Sequence, residues 1–369
     1  MGGLLVNLSV VFSQPTGISN YATNLFPVLR GLNPILLSSQ DYSGFECFSI
    51  PGDMTPAQGS RGHFKRLLWT QLELPKIYKN RDSKLLFSPI PEAPIYSHCR
   101  YIVQVHDLIP LRFPKFYSPL TQYFRYYVPQ VLKQAQHIIC NSQSTADDIV
   151  RFYQVPVSKI TPILLGYDAN HFCPTVKSEG ELATQKNPYF LYLGRHDPYK
   201  NLPRLITGFA ALVKNHPSAD VREYELWLVG STDKRFTPIL ESQIRELGIT
   251  EQVKFLNYVA YDYLPILIQN AIALVFPSLW EGFGFPVLEA MGCGTPVITS
   301  NLSSLPEVAG DAAILINPYN TQEITDAMLK IAVDGEMRSH LSQLGLKQAK
   351  NFSWEKTGEA TAEVLKMFM

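Results

Sequence analysis

The sequence lacks most of the features that mark secreted, metal-binding and membrane-spanning proteins. Its five cysteines are odd in number and form no Cys-x-x-Cys pair, which argues against a disulfide framework or a zinc site and favours a reducing cytosol. No apolar run approaches the ~18 residues that a membrane-spanning helix needs. The amino-terminal apolar stretch has no basic region ahead of it, so it is read as a strand and not as a signal peptide. We therefore expect a cytoplasmic protein.

The chain also lacks an excess of charge. It carries 32 Lys+Arg against 32 Asp+Glu, so nothing in its overall charge indicates nucleic acid binding. The bases are unevenly placed, however. The segment 61–84 has seven of them against two acids and supplies the whole excess of residues 1–170, namely Arg61, Lys65, Arg66, Lys76, Lys79, Arg81 and Lys84.

This basic segment contains a helical pattern, 64–72. Its spacing places Phe64, Leu68 and Leu72 on one face, with basic residues and Trp69 around them. Such a helix can dock on an anionic membrane surface. The alternative is a packed helix with a solvated basic side.

Short apolar runs alternate with helical patterns along the 369 residues, which predicts parallel α/β layers in two domains. The first strand is predicted at Leu4–Phe12 and the first helix at Asn20–Arg30. The polar, Pro- and Gly-bearing interval 170–186 is typical of an interdomain connection. A Gly-x-Gly-x-x-Gly motif is missing before the first helix, which argues against a dehydrogenase.

The most informative stretch is 277–299. It follows an apolar run read as a buried strand, 271–276, and Pro286 fits the first position of a helix spanning Val287–Met291. The start of a helix at the carboxyl end of a strand is where α/β proteins bind ligands, and its unpaired N–H groups attract phosphates.

Two carboxylates lie on either side of this helix start in an E-x7-E arrangement, with Glu281 in the loop and Glu289 in the first turn of the predicted helix. Carboxylate oxygens accept hydrogen bonds from vicinal sugar hydroxyls, so a phosphate pocket with two carboxylates indicates a nucleotide sugar. The alternative is a glycine turn followed by a Glu placed for the helix macrodipole.

Two cations and a histidine also follow predicted strands. Arg195 and Lys200 lie in a loop after Tyr189–Leu193, where they can bind a diphosphate, although a solvated basic loop fits equally well. His106 ends the strand that begins at Tyr101 and can donate a hydrogen bond to a ligand oxygen or shuttle a proton, although it can also be structural. Gly17 precedes the first helix and would let the backbone approach a phosphate or simply form a turn.

Seven pieces of the sequence occur together in the order found in one known family. The chain resembles the retaining family 4 glycosyltransferases of the GT-B fold, and most of all their bacterial mannosyltransferase-type members that build surface polysaccharides. The pieces are TGISNY (16–21), VHDLIP (105–110), NSQST (141–145), LGRHDPYKN (193–201), PSLWEGFGFPVLEAMGCGTPVITS (277–300), LPEVAGDAA (305–313) and FSWEKT (352–357).

The resemblance implies an α/β fold of two Rossmann-like domains facing across a cleft. Residues 1–170 would bind the acceptor and 187–350 the nucleotide sugar, with 171–186 as the linker. The terminal helix, 351–369, would cross back onto the first domain.

The resemblance also implies a role for each site residue. Glu289 would bind the ribose, Arg195 and Lys200 the diphosphate, and Glu281 the sugar. His106 would contact the sugar near the reacting carbon. The resemblance further places Gly17 at the phosphate and the backbone of Phe283, Gly284 and Phe285 at the sugar. Independently of the resemblance, the strand predicted at Lys254–Val259 has exposed backbone groups that could read a nucleobase edge, so Val259 is a further donor-binding candidate.

One departure concerns the asparagine-glycine motif that usually follows the first domain. It appears here as Leu165-Gly166-Tyr167-Asp168, so no role of that asparagine can be transferred.

The function expected from the sequence is retaining transfer of a hexose, mannose from GDP-mannose, to a glycan that is polyprenyl-linked or soluble. No metal or other cofactor is expected, because cations and the helix start can stabilise the leaving diphosphate and no Asp-x-Asp pair lies in a convincing loop. A soluble-acceptor enzyme using a UDP- or ADP-sugar, a non-catalytic nucleotide-sugar-binding protein and an epimerase on the same fold remain alternatives.

Overall fold

The computed structural model describes residues 3–11, 17–115, 117–174, 187–215, 219–257 and 259–369. The chain divides into two compact units. The first contains Met1–Gly166 and Ser353–Met369, and the second contains Tyr167–Phe352. Most of the predicted linker, residues 175–186, lies outside the described residues.

The first unit is built on a parallel sheet of seven strands in the order β3-β2-β1-β4-β5-β6-β7. Its central strands are apolar and buried on both faces because helices pack on each side. The elements are β1 (Leu4–Asn7), α1 (Gly17–Leu25), β2 (Ile35–Ser38), β3 (Glu46–Ser49), α2 (Gly59–Leu72), α3 (Leu74–Asn80), β4 (Leu85–Ser88), β5 (Tyr101–Val105), α4 (Ile109–Arg112), α5 (Pro119–Gln122), α6 (Val128–Gln134), β6 (His137–Cys140), α7 (Gln143–Tyr153) and β7 (Ile160–Pro162).

Two predicted elements of this unit differ from the structure. The strand expected at Leu4–Phe12 ends at Asn7, whose side chain accepts a hydrogen bond from the Ser9 amide at 3.1 Å and starts a turn. The helix expected at Asn20–Arg30 is two pieces. α1 ends at Leu25, and a separate 3₁₀ helix, Val28–Leu32, follows Pro27, which has no N–H to continue the first one.

The second unit repeats the architecture with six parallel strands in the order β10-β9-β8-β11-β12-β13. The two sheets confirm the predicted fold class, a pair of Rossmann-like α/β domains. The elements are β8 (Tyr189–Leu193), α8 (Leu202–Asn215), α9 (Ala219–Arg222), β9 (Glu225–Val229), α10 (Thr237–Glu246), β10 (Val253–Leu256), α11 (Leu264–Asn270), β11 (Ala273–Phe276), α12 (Phe285–Gly292), β12 (Val297–Ser300), α13 (Leu305–Ala309), β13 (Ile314–Ile316), α14 (Thr321–Val333) and α15 (Gly335–Ala349).

The last helix, α16 (Trp354–Lys366), belongs to the first unit. Its Thr357 hydroxyl donates to the Leu164 carbonyl at 2.9 Å. A Cβ on Gly166 would lie 2.1 Å from the Trp354 amide nitrogen. The two chain segments at the edge of the first unit therefore pack backbone against backbone, and only glycine fits between them.

We expect the Gly166→Ala variant to lower the free energy of unfolding of the first unit by about 1–3 kcal/mol, because the new methyl group meets backbone that has little room to move. Gly31→Ala is the matched control, since no atom in the described part of the chain lies within 4 Å of a Cβ there. Urea unfolding of the two variants measures the difference. Equal stability of both would show that the two segments can separate at little cost.

Candidate active site

The candidate site of the second unit lies where the strand order of its sheet reverses. Strands β8 and β11 are neighbours there, with Phe190 opposite Ala273 and Leu191 opposite Leu274. The loops that follow them, 194–201 and 277–284, therefore emerge side by side at the carboxyl edge of the sheet. Open α/β sheets bind their ligands in the crevice at such a reversal.

Two contacts hold these loops together. The buried Asn201 side chain donates to the carbonyls of Pro277 at 3.1 Å and Pro318 at 2.6 Å. The Leu279 amide donates to the Tyr199 carbonyl at 2.7 Å. Sequence reasoning missed Asn201, although an Asn between a basic loop and a helix is a typical left-handed cap, and its φ is 64°.

The loops bring Lys200 and Glu281 together, 81 residues apart in sequence. The Lys200 Nζ lies 2.6 Å from a Glu281 carboxylate oxygen, and the two side chains are only 13% and 11% exposed. The Lys200 ammonium also lies 5.2 Å from the ring centres of Tyr199 and Phe276. A nearly buried cation and carboxylate therefore share one place at the crevice.

The Glu281 turn is fixed by two serines that sequence reasoning did not assign. The Glu281 amide donates to the Ser303 hydroxyl at 3.0 Å. The Ser304 hydroxyl donates to the carbonyls of Glu281 at 3.1 Å and Phe283 at 2.7 Å. Both serines directly precede the LPEVAGDAA segment, which is one of the pieces that carry the family resemblance. Their hydrogen bonds to the Glu281 turn depend on the fold and could not be predicted from that segment.

Glycine is required where this turn enters α12. Gly284 is the N-cap residue with φ 115°, and a Cβ on it would lie 2.7 Å from the Leu305 side chain. Phe283 packs edge-on against Phe285 and Phe352. Because α12 begins at Phe285 and not at Pro286, the unpaired amides of its first turn start one residue earlier than predicted.

Glu289 lies on the second turn of α12, not the first turn as predicted. Although its side chain is only partly buried, desolvation by the surrounding protein raises the pKa of Glu289 to about 7. Its carboxylate forms no ion pair with any of the described residues, and it lies within electrostatic range of Tyr261 and Cys293. The alternative interpretation, a Glu placed to interact with the helix macrodipole, explains this carboxylate poorly, because the dipole acts mainly on the first turn of a helix.

The raised pKa of Glu289 makes a prediction about stability. The folded state retains a proton that the unfolded state releases above its ordinary pKa, 4.5, so stability falls as the pH rises from about 4.5 to about 7. The Glu289→Gln variant should therefore be more stable than the wild type by up to about 3 kcal/mol at pH 8, and should have no such advantage at about pH 4.5.

Urea unfolding of the second unit at these two pH values tests this. Glu251→Gln is the control, because Glu251 is exposed in the same unit. An equal effect of Glu289→Gln at both pH values would contradict a strained carboxylate.

The other predicted donor residues of this unit are less constrained. Arg195 is 69% exposed, and its Nε lies 3.1 Å from Asp197 of the same loop, so the structure does not bring it to the Lys200–Glu281 pair. The strand predicted at Lys254–Val259 is wrong at its end, because β10 stops at Leu256. Val259 is half-buried in the loop after it, and its neighbour at position 258 lies outside the described residues. The roles assigned to Arg195 and Val259 stay predictions.

A ring stack that sequence reasoning missed stands near Glu289. The His171 ring lies parallel to the Tyr261 ring with centres 3.9 Å apart, and its Nε2 lies 2.9 Å from the Tyr261 carbonyl. Asp168 belongs to the Leu-Gly-Tyr-Asp sequence that replaces the family's asparagine-glycine motif. It accepts hydrogen bonds from the amides of Asn170 and His171. The motif thus positions the His171 ring through its aspartate. Only the fold places residues 168–171 beside residue 261.

In the first unit, His106 follows β5 and is half-buried. Its Nε2 lies 2.8 Å from the Pro89 carbonyl and must donate, because a carbonyl only accepts. Burial lowers the pKa of His106 to about 4, so the ring is neutral near pH 7 and its Nδ1 is a hydrogen-bond acceptor. The ring meets Tyr21 of α1 edge-on at 5.0 Å.

Gly17 is exposed at the first position of α1, and no atom of the described residues lies within 4 Å of where a Cβ would be. The residues just before it, 12–16, lie outside the described residues. Open space at Gly17 fits a close approach by a ligand. Its phosphate contact stays a prediction.

The described residues offer neither a metal site nor a membrane span. They contain no group of three or more His, Cys, Asp or Glu side chains that could hold a metal ion. None of their helices has the length and apolar character needed to cross a bilayer. The expectation that transfer needs no metal stays a prediction.

Comparison with known families assigns both halves of the chain. Residues 16–171 match the family described as Glycosyltransferase Family 4, and residues 176–348 match that described as Glycosyl transferases group 1. HepE from Anabaena, solved in complex with UDP, has the same fold with a TM-score of 0.76 at 19% identity, over 100% of both chains. Sucrose-phosphate synthase from Thermosynechococcus elongatus also has a TM-score of 0.76, at 17% identity, over 100% of this chain and 99% of that one.

Two relatives share more of the sequence. O-antigen chain mannosyltransferase B from Escherichia coli is 31% identical over 276 residues, which are 73% of this chain and 70% of the relative. O-antigen chain mannosyltransferase RfbU from Salmonella typhimurium is 27% identical over 341 residues, which are 89% of this chain and 90% of the relative. The chain therefore belongs to the family 4, group 1 glycosyltransferases and has their GT-B fold.

Proposed function

We propose that this protein is a retaining mannosyltransferase that uses GDP-mannose and acts on a lipid-linked glycan at the cytoplasmic face of a membrane during surface polysaccharide synthesis. The mannosyl part is supported by relatives whose names are those of O-antigen mannosyltransferases. The observation that carries the proposal is the Lys200–Glu281 pair at the strand-order reversal, with the unpaired Glu289 carboxylate on the adjoining helix.

Donor binding exchanges the partners of this pair. The Lys200 ammonium turns from Glu281 to the β-phosphate, and the Glu281 carboxylate then accepts hydroxyl groups of the sugar. The Lys200 ammonium and the Glu281 carboxylate each lose one partner and gain another. Neither buried charge is therefore left unpaired, a state that would cost several kcal/mol. Glu289 accepts the two ribose hydroxyls, whose hydrogen bonds stabilise its charged form.

The chemical step breaks the bond between the anomeric carbon and the β-phosphate oxygen, and the electron pair goes to the phosphate. Lys200, with Arg195 once it leaves Asp197, stabilises the charge that grows there. The acceptor hydroxyl attacks the same face of the sugar and gives its proton to a phosphate oxygen. The products are GDP and a glycoside with the anomeric configuration of the donor.

His106 contributes as an acceptor. With Nε2 donating to Pro89, its Nδ1 accepts a hydroxyl group of the sugar near the reacting carbon. Gly17 lets the start of α1 approach the diphosphate. No side-chain nucleophile is part of this scheme, and the chain's own cations take the place that a metal would otherwise have.

The His106 assignment predicts a modest loss of rate and a flat pH profile. His106→Ala should lower kcat by about tenfold to a hundredfold, the effect of removing a buried hydrogen-bond partner. In the wild type, kcat at saturating donor should not fall through protonation of His106 between about pH 8 and pH 5, because burial places its pKa near 4. His98→Ala is the control, as His98 is an exposed histidine of the same unit. A kcat that titrates near pH 6.5 and loses this step in His106→Ala would contradict the neutral acceptor.

The donor is tested by thermal unfolding with GDP-mannose, UDP-glucose and ADP-glucose. A ligand at a hundred times its Kd stabilises by about 2.7 kcal/mol, and GDP-mannose alone should do so. Stabilisation only by a UDP- or ADP-sugar would replace the proposed donor.

Transfer to a polyprenyl-linked and to a soluble acceptor, with the product's anomeric configuration read by NMR, tests the acceptor and the retention. An inverted product would end the proposed mechanism.

A further inference from the structure

Helix α2 has its polarity reversed relative to an ordinary surface helix. Its buried face is formed by Gly62, Arg66, Trp69 and Thr70. Its opposite face carries Phe64, Leu68 and Leu72, four residues apart, which are 62%, 45% and 60% exposed. A surface helix normally buries its apolar stripe against the core. This one turns the stripe to solvent, and we call these three side chains the α2 stripe.

A buried ion pair fixes this orientation. Arg66 makes two hydrogen bonds to the carboxylate of Glu92, at 2.7 and 2.8 Å, and another to the Met54 carbonyl at 3.0 Å. The Tyr123 hydroxyl donates to the same carboxylate at 3.3 Å. Turning α2 to bury the stripe would break this network and leave a buried charge unpaired, which is strongly unfavourable.

The bases of segment 61–84 contribute less than their number indicates. Arg66 is buried, and three others are paired with acids: Lys65 with Asp53, Lys76 with Glu73, and Arg81 with Glu46. Only Arg61, Lys79 and Lys84 have no ion-pair partner among the described residues. Arg61 lies one turn before Phe64, and Lys79 lies on α3 just beyond Leu72. In sequence, one free cation therefore precedes the stripe on α2 and another follows it on α3.

We infer that α2 docks this protein on an anionic lipid bilayer, with Phe64, Leu68 and Leu72 inserted among the acyl chains and Arg61 and Lys79 at the headgroups. Interfacial helices bind by apolar burial together with attraction to anionic lipid. The sequence predicted that segment 61–84 docks mainly through its positive charge. In the docking inferred here, insertion of the apolar α2 stripe supplies most of the binding free energy, and charge adds a smaller part. The inference rests on the proposed function only in that a lipid-linked acceptor gives docking a purpose.

The size of the stripe favours a bilayer over a second protein. Aromatic side chains bury about 150–250 Å² each, and three partly exposed side chains offer a few hundred Å² in all. A specific protein interface needs about 800 Å² from each partner. A bilayer has no such minimum, because one narrow stripe can insert alone.

Flotation with phosphatidylcholine vesicles, with and without phosphatidylglycerol, tests the inference. The wild type should float with the anionic vesicles. Phe64→Asp with Leu72→Asp should lower the bound fraction at least tenfold, whereas Ile239→Asp with Val333→Asp, at two exposed apolar positions of the second unit, should leave it unchanged. Arg61→Gln with Lys79→Gln, or an increase from about 0.1 M to about 0.5 M NaCl, should lower binding only a few-fold.

Three results would overturn the docking site. These are equal flotation of the Phe64/Leu72 variant and the wild type, no flotation of the wild type, or a wild-type dimer that the Phe64/Leu72 variant dissociates. Leu68→Gln repeats the test with a milder change should the double variant fail to fold.

Transfer to a soluble acceptor separates this inference from the proposed function. The Phe64/Leu72 variant should retain full activity on the soluble acceptor while it no longer binds the anionic vesicles. A wild type that floats but transfers no sugar would count against the proposed function alone.

Discussion

Replacing Lys200 with methionine is expected to lower kcat by about 10²–10³, the usual effect of removing one group that stabilises developing charge. Lys200 is nearly buried, so its charge acts on the departing diphosphate with little screening by water. The interaction strengthens as the bond to the sugar breaks. The loss should therefore appear in kcat, measured by GDP release at saturating donor, more than in KM.

Lys254→Met is the matched control for this variant. Lys254 also pairs with a glutamate of the second unit, Glu225, at 2.7 Å, but its side chain is 42% exposed, about three times as much as that of Lys200. It should lose no activity. Because Lys200→Met also leaves Glu281 without its partner, the double variant Lys200→Met/Glu281→Gln separates stability from rate. The double variant would refute a role for Lys200 at the diphosphate if its free energy of unfolding equalled that of the wild type and its kcat were also fully recovered.

Replacing Glu289 with alanine, which removes two hydrogen bonds to the ribose, is expected to weaken donor binding by about 10²–10⁴ in Kd. Each hydrogen bond from a ribose hydroxyl to the carboxylate is charge-assisted and contributes about 1.5–3 kcal/mol. The ribose is remote from the bond that breaks, so its contacts are the same in the bound donor and in the transition state. The change should therefore raise KM and leave kcat nearly intact.

Donor truncation provides the control for Glu289. A donor whose ribose lacks both hydroxyls should bind the wild type as weakly as the full donor binds Glu289→Ala, and it should bind both proteins alike. If the truncated donor still distinguishes the two proteins, Glu289 does not act on the ribose. Glu251→Ala controls for a general loss of negative charge in the second unit.

The sequence predicted the elements of the site better than their contacts. The strand ending near Phe276, the glycine turn and the helix after it follow from local chemistry: an apolar run, Gly284 and Pro286. These signals lie within one stretch of chain. The joint role of Glu281 and Glu289 was inferred from their spacing in the same stretch, and it stays a prediction.

The Lys200–Glu281 contact could not be predicted in this way. It depends on β8 and β11 being neighbours across the reversal of strand order, which no local pattern specifies. The same holds for Asn201, whose two carbonyl partners come from distant segments. Arg195 shows the opposite case: its residue type fits a diphosphate, but its side chain turns to solvent beside Asp197.

Helix α2 shows why periodicity alone does not orient a helix. Its apolar spacing was read correctly, yet the face that is buried is the one that carries Arg66. The buried partner, Glu92, lies outside the helix and between two strands. A single tertiary ion pair thus decided which side of the helix faces water.

The proposed account places the Glu289 carboxylate at the donor ribose, and the pH dependence of GDP-mannose affinity tests this placement most directly. Both phosphates of this donor are esterified, so the ligand itself does not titrate near neutrality. Calorimetric titration of the wild type should give about tenfold weaker binding at pH 6 than at pH 8, because Glu289 must first lose the proton that it holds below about pH 7. The Glu289→Gln variant should bind weakly and equally at both. Equal affinity of the wild type at the two pH values, or the same pH dependence in Glu289→Gln, would contradict the account.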